Sequence, residues 1–302
     1  MKIYNLTGKK GVIKKEIIGG KCLPIFEMNK KGIDVPTSFA IGYDFFENHL
    51  ENIGFWLKFN SSDFVNNNNL EKNLSNARNL IINTDIDPKL ISQLKQILSK
   101  LKFWAVRSSA NIEDSTDKSW AGGFESYIGV KDKDVSKYIK HVWASVFTQR
   151  VLNYIDNPKK IKDIKMSVLL QEAINSDTSG VCFTQESLEE DEEMIIESIH
   201  GIGEYLVQGE VIPDRYIIDR KTNIISEVIF NEQGKLLSFN NQGVLKKILN
   251  KNKKEQKLTG AEIIELSKIC FNIEKIYKNP RDIEWCKKGK KFYILQSRPI
   301  TT

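Results

Sequence analysis

This 302-residue sequence is poor in the residues on which several common kinds of chemistry depend. Its four cysteines lie far apart and form no Cys-x-x-Cys pair. A zinc site is therefore not expected, and reduced thiols in a cytoplasmic protein are predicted. The three histidines, His49, His141 and His200, are widely separated and are predicted to be structural, so neither Ser/His/Asp nor Cys/His catalysis is supported.

Long apolar runs and strong charge are also missing. No segment has roughly 18 consecutive apolar residues, and the N-terminus lacks the apolar stretch of a secretory signal, so we expect no membrane partner. The net charge of +6 suits a polyanion such as a nucleotide but does not demand nucleic acid, and no nucleic-acid partner is expected. The basic run at residues 246–257 has no interleaved aromatic residues and is predicted to be a solvated loop or helix face.

Two familiar nucleotide-binding motifs are absent as well. The sequence contains no Walker loop, and Gly201-x-Gly203 lacks the third glycine and the strand-to-helix context of a dinucleotide fingerprint. A Rossmann fold is therefore rejected. If the protein uses ATP, another kind of site must hold it.

The strongest positive signal is a pair of short segments at the end of the chain. Residues 282–285 and 293–299 flank a basic turn and predict a β-hairpin. Because side chains alternate along a strand, Gln296 and Arg298 share one face, and Glu284 can face the same side from the partner strand. Two oxygen donors suit Mg²⁺, and the arginine suits a phosphate. This combination indicates a site for the terminal phosphates of a nucleotide.

Two other segments carry weaker signals. Arg107 follows a short predicted strand, residues 103–106, where a polar loop begins, so it is either a rigidly mounted phosphate contact or a surface ion pair. Gly122 and Gly123 allow the backbone to approach a phosphate closely, although such pairs also occur in ordinary hairpin turns.

Hydrophobic periodicity predicts a mixture of helices and mostly antiparallel strands. A helix is expected after Gly19-Gly20-Lys21. Further helices are predicted at residues 86–100, 138–154 and 260–278, strands at 166–172, 180–184 and 194–198, and a hairpin at 216–219 and 224–230. The pattern favours an α+β fold over a doubly wound sheet.

In their order along the chain, the motifs resemble the N-terminal ATP-binding domain of phosphoenolpyruvate synthase, pyruvate phosphate dikinase and rifampin phosphotransferase. The resemblance covers nearly the whole chain and is weakest at about residues 52–100 and 230–260. It rests on Gly19-Gly20-Lys21, Val35-Pro36-x-x-Phe39, Ala105-Val106-Arg107-Ser108-Ser109-Ala110-x-x-Glu113-Asp114, Ala121-Gly122, Trp143-Ala144-Ser145-Val146-Phe147, residues 168–171, Ser179-Gly180-Val181-x-Phe183-Thr184, Gly201-x-Gly203-Glu204, Val207-Gln208-Gly209, Pro213-Asp214, Asp282-Ile283-Glu284-Trp285 and Gln296-x-Arg298-Pro299.

The resemblance implies an α+β fold of the ATP-grasp type, with ATP held between two lobes at approximately residues 1–160 and 161–302. Lys21 and Arg107 would then contact the phosphates, and the loop with Gly122 and Gly123 would cover them. Residues 171–174 would form a hinge strand that reads adenine. The hinge members counted as site residues are Gln171, Glu172 and Ile174.

The resemblance also assigns the metal. Glu284 and Gln296 would hold Mg²⁺, and Arg298 would stabilise the transferring phosphate. Glu197 and Gln208 would lie near the nucleotide, in less defined roles. The chain departs from the pattern at Gly123, where members of the family often have glutamine, so the contacts of the covering loop are expected to differ.

The resemblance further implies a partner. Relatives carry a phosphorylated histidine in a Gly-Thr-Ser-His context, which none of the three histidines here matches, so the phosphohistidine and substrate domains are expected to be absent from this chain. The first hypothesis is an ATP-dependent phosphotransferase component that transfers a phosphoryl or pyrophosphoryl group to a histidine on a separate domain or protein. The alternatives are a stand-alone ATP-grasp kinase or ligase and a non-catalytic nucleotide-binding module. The small-molecule acceptor is left open.

Overall fold

The computed structural model describes residues 1–8, 11–65, 68–98, 103–113, 123–155, 157–185, 192–240 and 242–300. Helix makes up 39% of the structure and strand 29%, so the expected mixed class is confirmed. The chain forms two compact units. The first comprises Met1–Phe26 and Thr37–Ala173, and the second comprises Glu27–Pro36 and Ile174–Thr302. The strand at residues 166–172, which the approximate lobes assigned to the second half, lies in the first unit.

The first unit is built on a five-stranded antiparallel sheet with the strand order β1-β2-β5-β3-β4. Its elements, in chain order, are β1 (Ile3–Asn5), α1 (Lys15–Lys30, which continues into the second unit), β2 (Ser38–Ile41), α2 (Tyr43–Asn52), α3 (Phe55–Lys58), α4 (Leu70–Asn83), α5 (Pro88–Leu98), β3 (Trp104–Ala110), β4 (Ser126–Val130), α6 (Val135–Ala144), α7 (Gln149–Tyr154) and β5 (Met166–Glu172).

The core of the first unit lies between one face of this sheet and the helices. Alternate residues of β3 and β5, such as Val106 and Leu170, are fully buried there. They belong to one cluster with an aromatic group that includes Phe55, Phe64 and Phe147. The well-packed core gives β3 a rigid position.

A kink in α1 brings this helix close to β3. Gly19 interrupts the helix with φ of 77°, and a Cβ there would lie 1.9 Å from the carbonyl oxygen of Ser109. Only glycine fits both the positive φ and the close approach. The Ser109 hydroxyl completes the contact, since it donates to the Ile18 carbonyl (2.7 Å) and accepts from the Cys22 backbone N–H (3.1 Å). Lys21 is thereby fixed beside β3.

The second unit contains a six-stranded antiparallel sheet with the strand order β13-β12-β6-β7-β8-β9, and a separate β10-β11 hairpin. Its elements are β6 (Thr178–Phe183), β7 (Glu193–His200), α8 (Glu204–Val207), β8 (Asp214–Asp219), β9 (Ile224–Ile229), β10 (Lys235–Phe239), β11 (Leu245–Leu249), α9 (Gly260–Tyr277), β12 (Arg281–Lys288) and β13 (Lys291–Pro299).

Close packing holds the centre of the six-stranded sheet. A Cβ at Gly180 would lie 1.8 Å from the Glu197 carbonyl oxygen and 2.8 Å from the Trp285 ring, so the tryptophan lies directly over the glycine. The helix α9 packs on the sheet and begins with a capping box between Thr259 and Glu262. These contacts fix the relative positions of β6, β7 and β12.

Three sequence expectations need correction. The strand that leads to Arg107 does not end at residue 106 but continues to Ala110, because Ser108 and Ser109 are buried and β3 pairs with β5 along its whole length. The helix expected at 138–154 is two helices, the second capped by the Thr148 hydroxyl. The basic run at 246–257 is neither a helix nor a loop throughout, since it begins on β11 and ends at Lys257, which is buried.

The four cysteines are buried as free thiols. Among the described residues, no helix is both long enough and apolar enough to cross a membrane.

Candidate functional site

A row of five residues, four of them polar, crosses one face of the six-stranded sheet. Gln296 of β13 lies directly opposite Glu284 of β12, which lies opposite Val181 of β6. The row continues through Glu197 of β7 to Arg215 of β8. Directly opposed residues of antiparallel strands project from the same face, and neighbouring strands are about 4.8 Å apart. The predicted pair of Glu284 and Gln296 is therefore brought together, with Glu197 two strands, or about 10 Å, from Glu284.

Arg298 lies on the same face and is held by a carboxylate that the sequence analysis did not assign. Its Nε and Nη2 both donate to Oδ2 of Asp282, at 2.8 and 2.6 Å. Asp282 is the residue opposite Arg298 across the hairpin. Burial raises the pKa of the Asp282 carboxyl, and the adjacent Arg298 charge opposes this shift while Glu284 adds to it. The arginine is thus oriented beside the Glu284 and Gln296 pair.

These side chains fit a magnesium ion that is also bound by phosphate. Mg²⁺ prefers oxygen ligands and commonly takes one or two carboxylates from the protein, with substrate phosphates and water completing its shell. Glu284 and Gln296 supply a carboxylate and an amide oxygen from directly opposed positions. Among the described residues no group of three or more His, Cys, Asp or Glu side chains is arranged to hold a metal by itself. The arrangement suits a nucleotide-bound ion better than a protein-only metal site.

The first unit contains its own set of charged groups. Lys21 Nζ lies 2.6 Å from Oε1 of Glu113 and 3.0 Å from the Ser108 hydroxyl. Ser108 donates to the same carboxylate oxygen (2.9 Å), and the Ala110 N–H donates to the other oxygen (2.7 Å). Glu113 is 1% exposed and Lys21 is 14% exposed. Glu113 was expected only as part of a family motif, because no local pattern links it to a lysine 92 positions earlier.

Arg107 and Gln171 lie on the face of β3 and β5 that is opposite to the core face of Val106 and Leu170. Arg107 lies opposite Leu169, and Gln171 lies opposite Ala105, so the two polar residues are on the same side of the sheet on neighbouring strands. Gln171 is buried and Arg107 is half-buried. This arrangement places an arginine on a rigid strand, although in the middle of the strand and not at its end.

The predicted hinge segment coincides with the point where the chain leaves the first unit. Glu172 is the last residue of β5, and Ile174 is the first residue of the second unit. Two backbone donors here are already used, since the Glu172 N–H bonds to the Thr37 carbonyl (2.8 Å) and the Ala173 N–H bonds to the Phe103 carbonyl (3.1 Å). A base read at this segment must use other groups.

The remaining predicted residues are not brought into these sets. Gly122 lies outside the described residues, and Gly123 is the first residue after that gap. Gln208 follows α8 and is exposed, and the register of the sheet does not place it in the polar row. The strand alternation that pointed to Glu284 would also have pointed to Asp282, two positions earlier on the same strand.

Comparison with known proteins identifies the family of the chain. The family model described as pyruvate phosphate dikinase, AMP/ATP-binding domain, matches residues 15–302. A probable phosphoenolpyruvate synthase of Methanocaldococcus jannaschii is 32% identical over 95% of this chain, and one of Archaeoglobus fulgidus is 33% identical over 95%. A rifampicin phosphotransferase of Bacillus cereus is 31% identical, also over 95% of this chain.

The chain spans less than half the length of these relatives. It covers 26% of the M. jannaschii protein, 40% of the A. fulgidus protein and 34% of the B. cereus protein. The match therefore concerns one part of larger proteins, and that part includes both the Lys21 set and the Glu284 set. The chain belongs to the pyruvate phosphate dikinase AMP/ATP-binding domain family.

Proposed function

We propose that this chain binds Mg-ATP and acts as the ATP-dependent component of a phosphotransferase. The observation that carries the proposal is the opposed pair of Glu284 and Gln296, with Arg298 held beside it by Asp282. Membership of an AMP/ATP-binding family supports the nucleotide, and relatives named phosphoenolpyruvate synthase and rifampicin phosphotransferase support the reaction class.

The predicted residues have defined parts in this proposal. Glu284 and Gln296 would hold Mg²⁺ on the polyphosphate, and Arg298 would offset the charge on the group being transferred. Lys21 and Arg107 would bind phosphate oxygens. Mg²⁺, when bound, neutralises phosphate charge and fixes the geometry of the polyphosphate. Phosphoryl transfer depends mainly on such neutralisation and on in-line positioning, so no covalent group from this chain is needed.

The phosphoryl acceptor in this proposal is a histidine on another domain or protein. The three histidines of this chain, His49, His141 and His200, do not match the pattern of that acceptor, because none has the Gly-Thr-Ser-His context of the family. ATP and water would then give AMP and phosphate, with one phosphoryl group passed through the histidine to a small-molecule acceptor.

The test follows both terminal phosphates of ATP. Purified protein, Mg²⁺ and ATP labelled separately at the β and γ positions are incubated with extract of the source cell. Acid-labile label on a protein, together with AMP, is the expected result. Label on a small molecule with ADP left behind would indicate direct kinase or ligase chemistry. No transfer despite tight Mg-ATP binding would indicate a nucleotide-binding module.

The Glu284→Ala variant ties the reaction to the proposed site. Loss of one ligand to the nucleotide-bound metal should lower transfer by about 100-fold or more while the fold is retained. Glu227→Ala is the matched control, because Glu227 is an exposed carboxylate on the edge strand β9 of the same sheet. Equal transfer by Glu284→Ala and the unmodified protein would refute the assignment.

A further inference from the structure

The Lys21 ammonium is held by two acceptors and retains one N–H. Among the described residues, its hydrogen bonds go to Glu113 Oε1 (2.6 Å) and to the Ser108 hydroxyl (3.0 Å). A lysine ammonium has three N–H donors. One donor therefore remains for another partner, and its direction is set by the two bonds already made.

Glu113 is in turn held from several sides. It is 1% exposed, and its two oxygens accept from Lys21, from the Ser108 hydroxyl and from the Ala110 N–H. Ser108 is itself buried on β3. The carboxylate is thus fixed to the strand, and a lysine bound to it has little freedom to move.

A second buried lysine-carboxylate pair in the chain provides a comparison. Lys257 and Asp214 lie 2.7 Å apart, and both side chains are 0% exposed. Neither side chain of this pair is accessible to a ligand. In the Lys21 pair the carboxylate is sealed at 1% exposure, but the lysine is 14% exposed. A pair required only for stability has no need of an accessible ammonium.

We propose that Glu113 is a positioning residue, which holds Lys21 so that its remaining N–H meets a phosphate oxygen of the nucleotide. The inference rests on the proposed function, because the phosphate is that of ATP. Glu113 does not touch the nucleotide in this scheme. It acts through Lys21 by limiting the positions that the ammonium can take before the phosphate arrives, which reduces the ordering cost of binding.

The first test is a double-mutant cycle with Lys21→Met and Glu113→Gln, measured as the Kd of Mg-ATP. Glutamine keeps the size of the side chain but removes its charge, and at least one of the three donors around it loses its acceptor. Glu113→Gln should weaken Mg-ATP binding about tenfold. In the Lys21→Met background, the same substitution should change the Kd by less than about twofold, because the residue through which Glu113 acts is gone. An equal loss in both backgrounds would overturn the proposal.

A conservative variant separates charge from packing. Glu113→Asp keeps the carboxylate and should retain more Mg-ATP affinity than Glu113→Gln, although its side chain is shorter. If Glu113→Gln fails to fold, Glu113→Asp is measured in the same cycle with Lys21→Met. Glu192→Gln is the matched control, because Glu192 pairs with Lys221 at the surface, where both side chains are more than 70% exposed. It should leave the Kd unchanged.

The second test does not depend on ATP. Acylation of lysines by acetic anhydride is followed by mass spectrometry, with exposed lysines as the internal reference. The hydrogen bond to Glu113 engages the Lys21 amine, so Glu113→Gln, which weakens that bond, should raise the labelling of Lys21 about tenfold relative to the reference. Glu192→Gln should not. Unchanged Lys21 labelling would overturn the proposal even if ATP binds. Absence of Mg-ATP binding by the unmodified protein, with the rise in labelling intact, would refute the proposed function and leave Glu113 as the residue that holds Lys21.

Discussion

Replacing Asp214 with asparagine should destabilise the second unit and leave Mg-ATP affinity nearly unchanged. Asp214 belongs to the Pro213-Asp214 motif that helped to indicate the family, so a role in nucleotide binding would be a natural guess. The structure places it elsewhere. Asp214 pairs with Ser198, and its neighbour Arg215 pairs with Glu197 in the polar row, so the Asp214 side chain projects from the opposite face of the sheet.

The size of the effect follows from the surroundings of the pair. Asp214 accepts from the Lys257 Nζ (2.7 Å) and from the Lys257 N–H (3.0 Å). It also accepts from the Asn231 N–H (2.9 Å) and the Tyr216 hydroxyl (3.0 Å). Asp214→Asn leaves a fully buried ammonium without a counter-charge, which typically costs about 3–5 kcal/mol. At a few degrees per kcal/mol, the Tm should fall by about 10 °C.

Replacing the lysine of the same pair should destabilise the protein less. Lys257→Met removes the buried cation but leaves three donors on the Asp214 carboxylate, including the backbone N–H of residue 257. A loss of about 1–3 kcal/mol is expected. The double variant should be more stable than Asp214→Asn alone, because no unpaired charge is then buried.

Thermal and urea unfolding of the three variants provide the assay, and the Kd of Mg-ATP is measured at low temperature, where all three are folded. Additive free-energy losses in the double variant would contradict the account of an unpaired charge. A large loss of Mg-ATP affinity in folded Asp214→Asn, with an unchanged Tm, would show that the motif serves the nucleotide site after all.

Three further predictions concern other parts of the chain. Burial raises the pKa of the Cys22 thiol to about 12, and all four thiols are buried, so a thiol reagent at about pH 8 should find no fast-reacting cysteine in the folded protein and four after denaturation. Asp282→Asn should lower turnover about tenfold with little change in Tm, because Arg298 loses a charged acceptor. Gly180→Ala should lower the free energy of unfolding by about 2 kcal/mol or more, because the new Cβ would lie 1.8 Å from a backbone oxygen. Gly203→Ala should lower it by under about 1 kcal/mol, because its Cβ would lie 3.4 Å from the Ser179 hydroxyl. Unfolding measurements that rank the two glycine variants in the other order would contradict the packing argument.

Strand alternation made the terminal hairpin predictable. Glu284, Gln296 and Arg298 were expected on one face, and the register of β12 and β13 places them there. The α+β class also followed from periodicity, because it depends on the local pattern of apolar residues. Local rules succeed where the relevant contacts lie within one hairpin.

Long-range contacts explain where local rules failed. The polar serines after Arg107 suggested a loop, but pairing with β5 and the bond from Cys22 to Ser109 keep them in a strand. Lys257 ends a run of solvated-looking charges, yet it is buried because Asp214, 43 positions earlier, provides its partner. In both cases a distant segment satisfies polar groups that otherwise would face water.

The two buried lysine-carboxylate pairs show how family motifs divide between structure and chemistry. Each pair includes a residue of a motif that indicated the family, so the sequence alone gives no reason to treat the two pairs differently. In the structure, both pairs are closely bonded. Exposure separates them: Lys257 is sealed, and Lys21 keeps an accessible face. A charged group that solvent and ligands cannot reach interacts only with other groups of the protein. Loss of its partner must therefore lower the free energy of unfolding. An accessible, held charge offers a donor to a ligand, so its loss must appear in binding. The exposure of the lysine is therefore the criterion that both experiments test. It holds only if Asp214→Asn mainly lowers the free energy of unfolding and Glu113→Gln mainly weakens Mg-ATP binding.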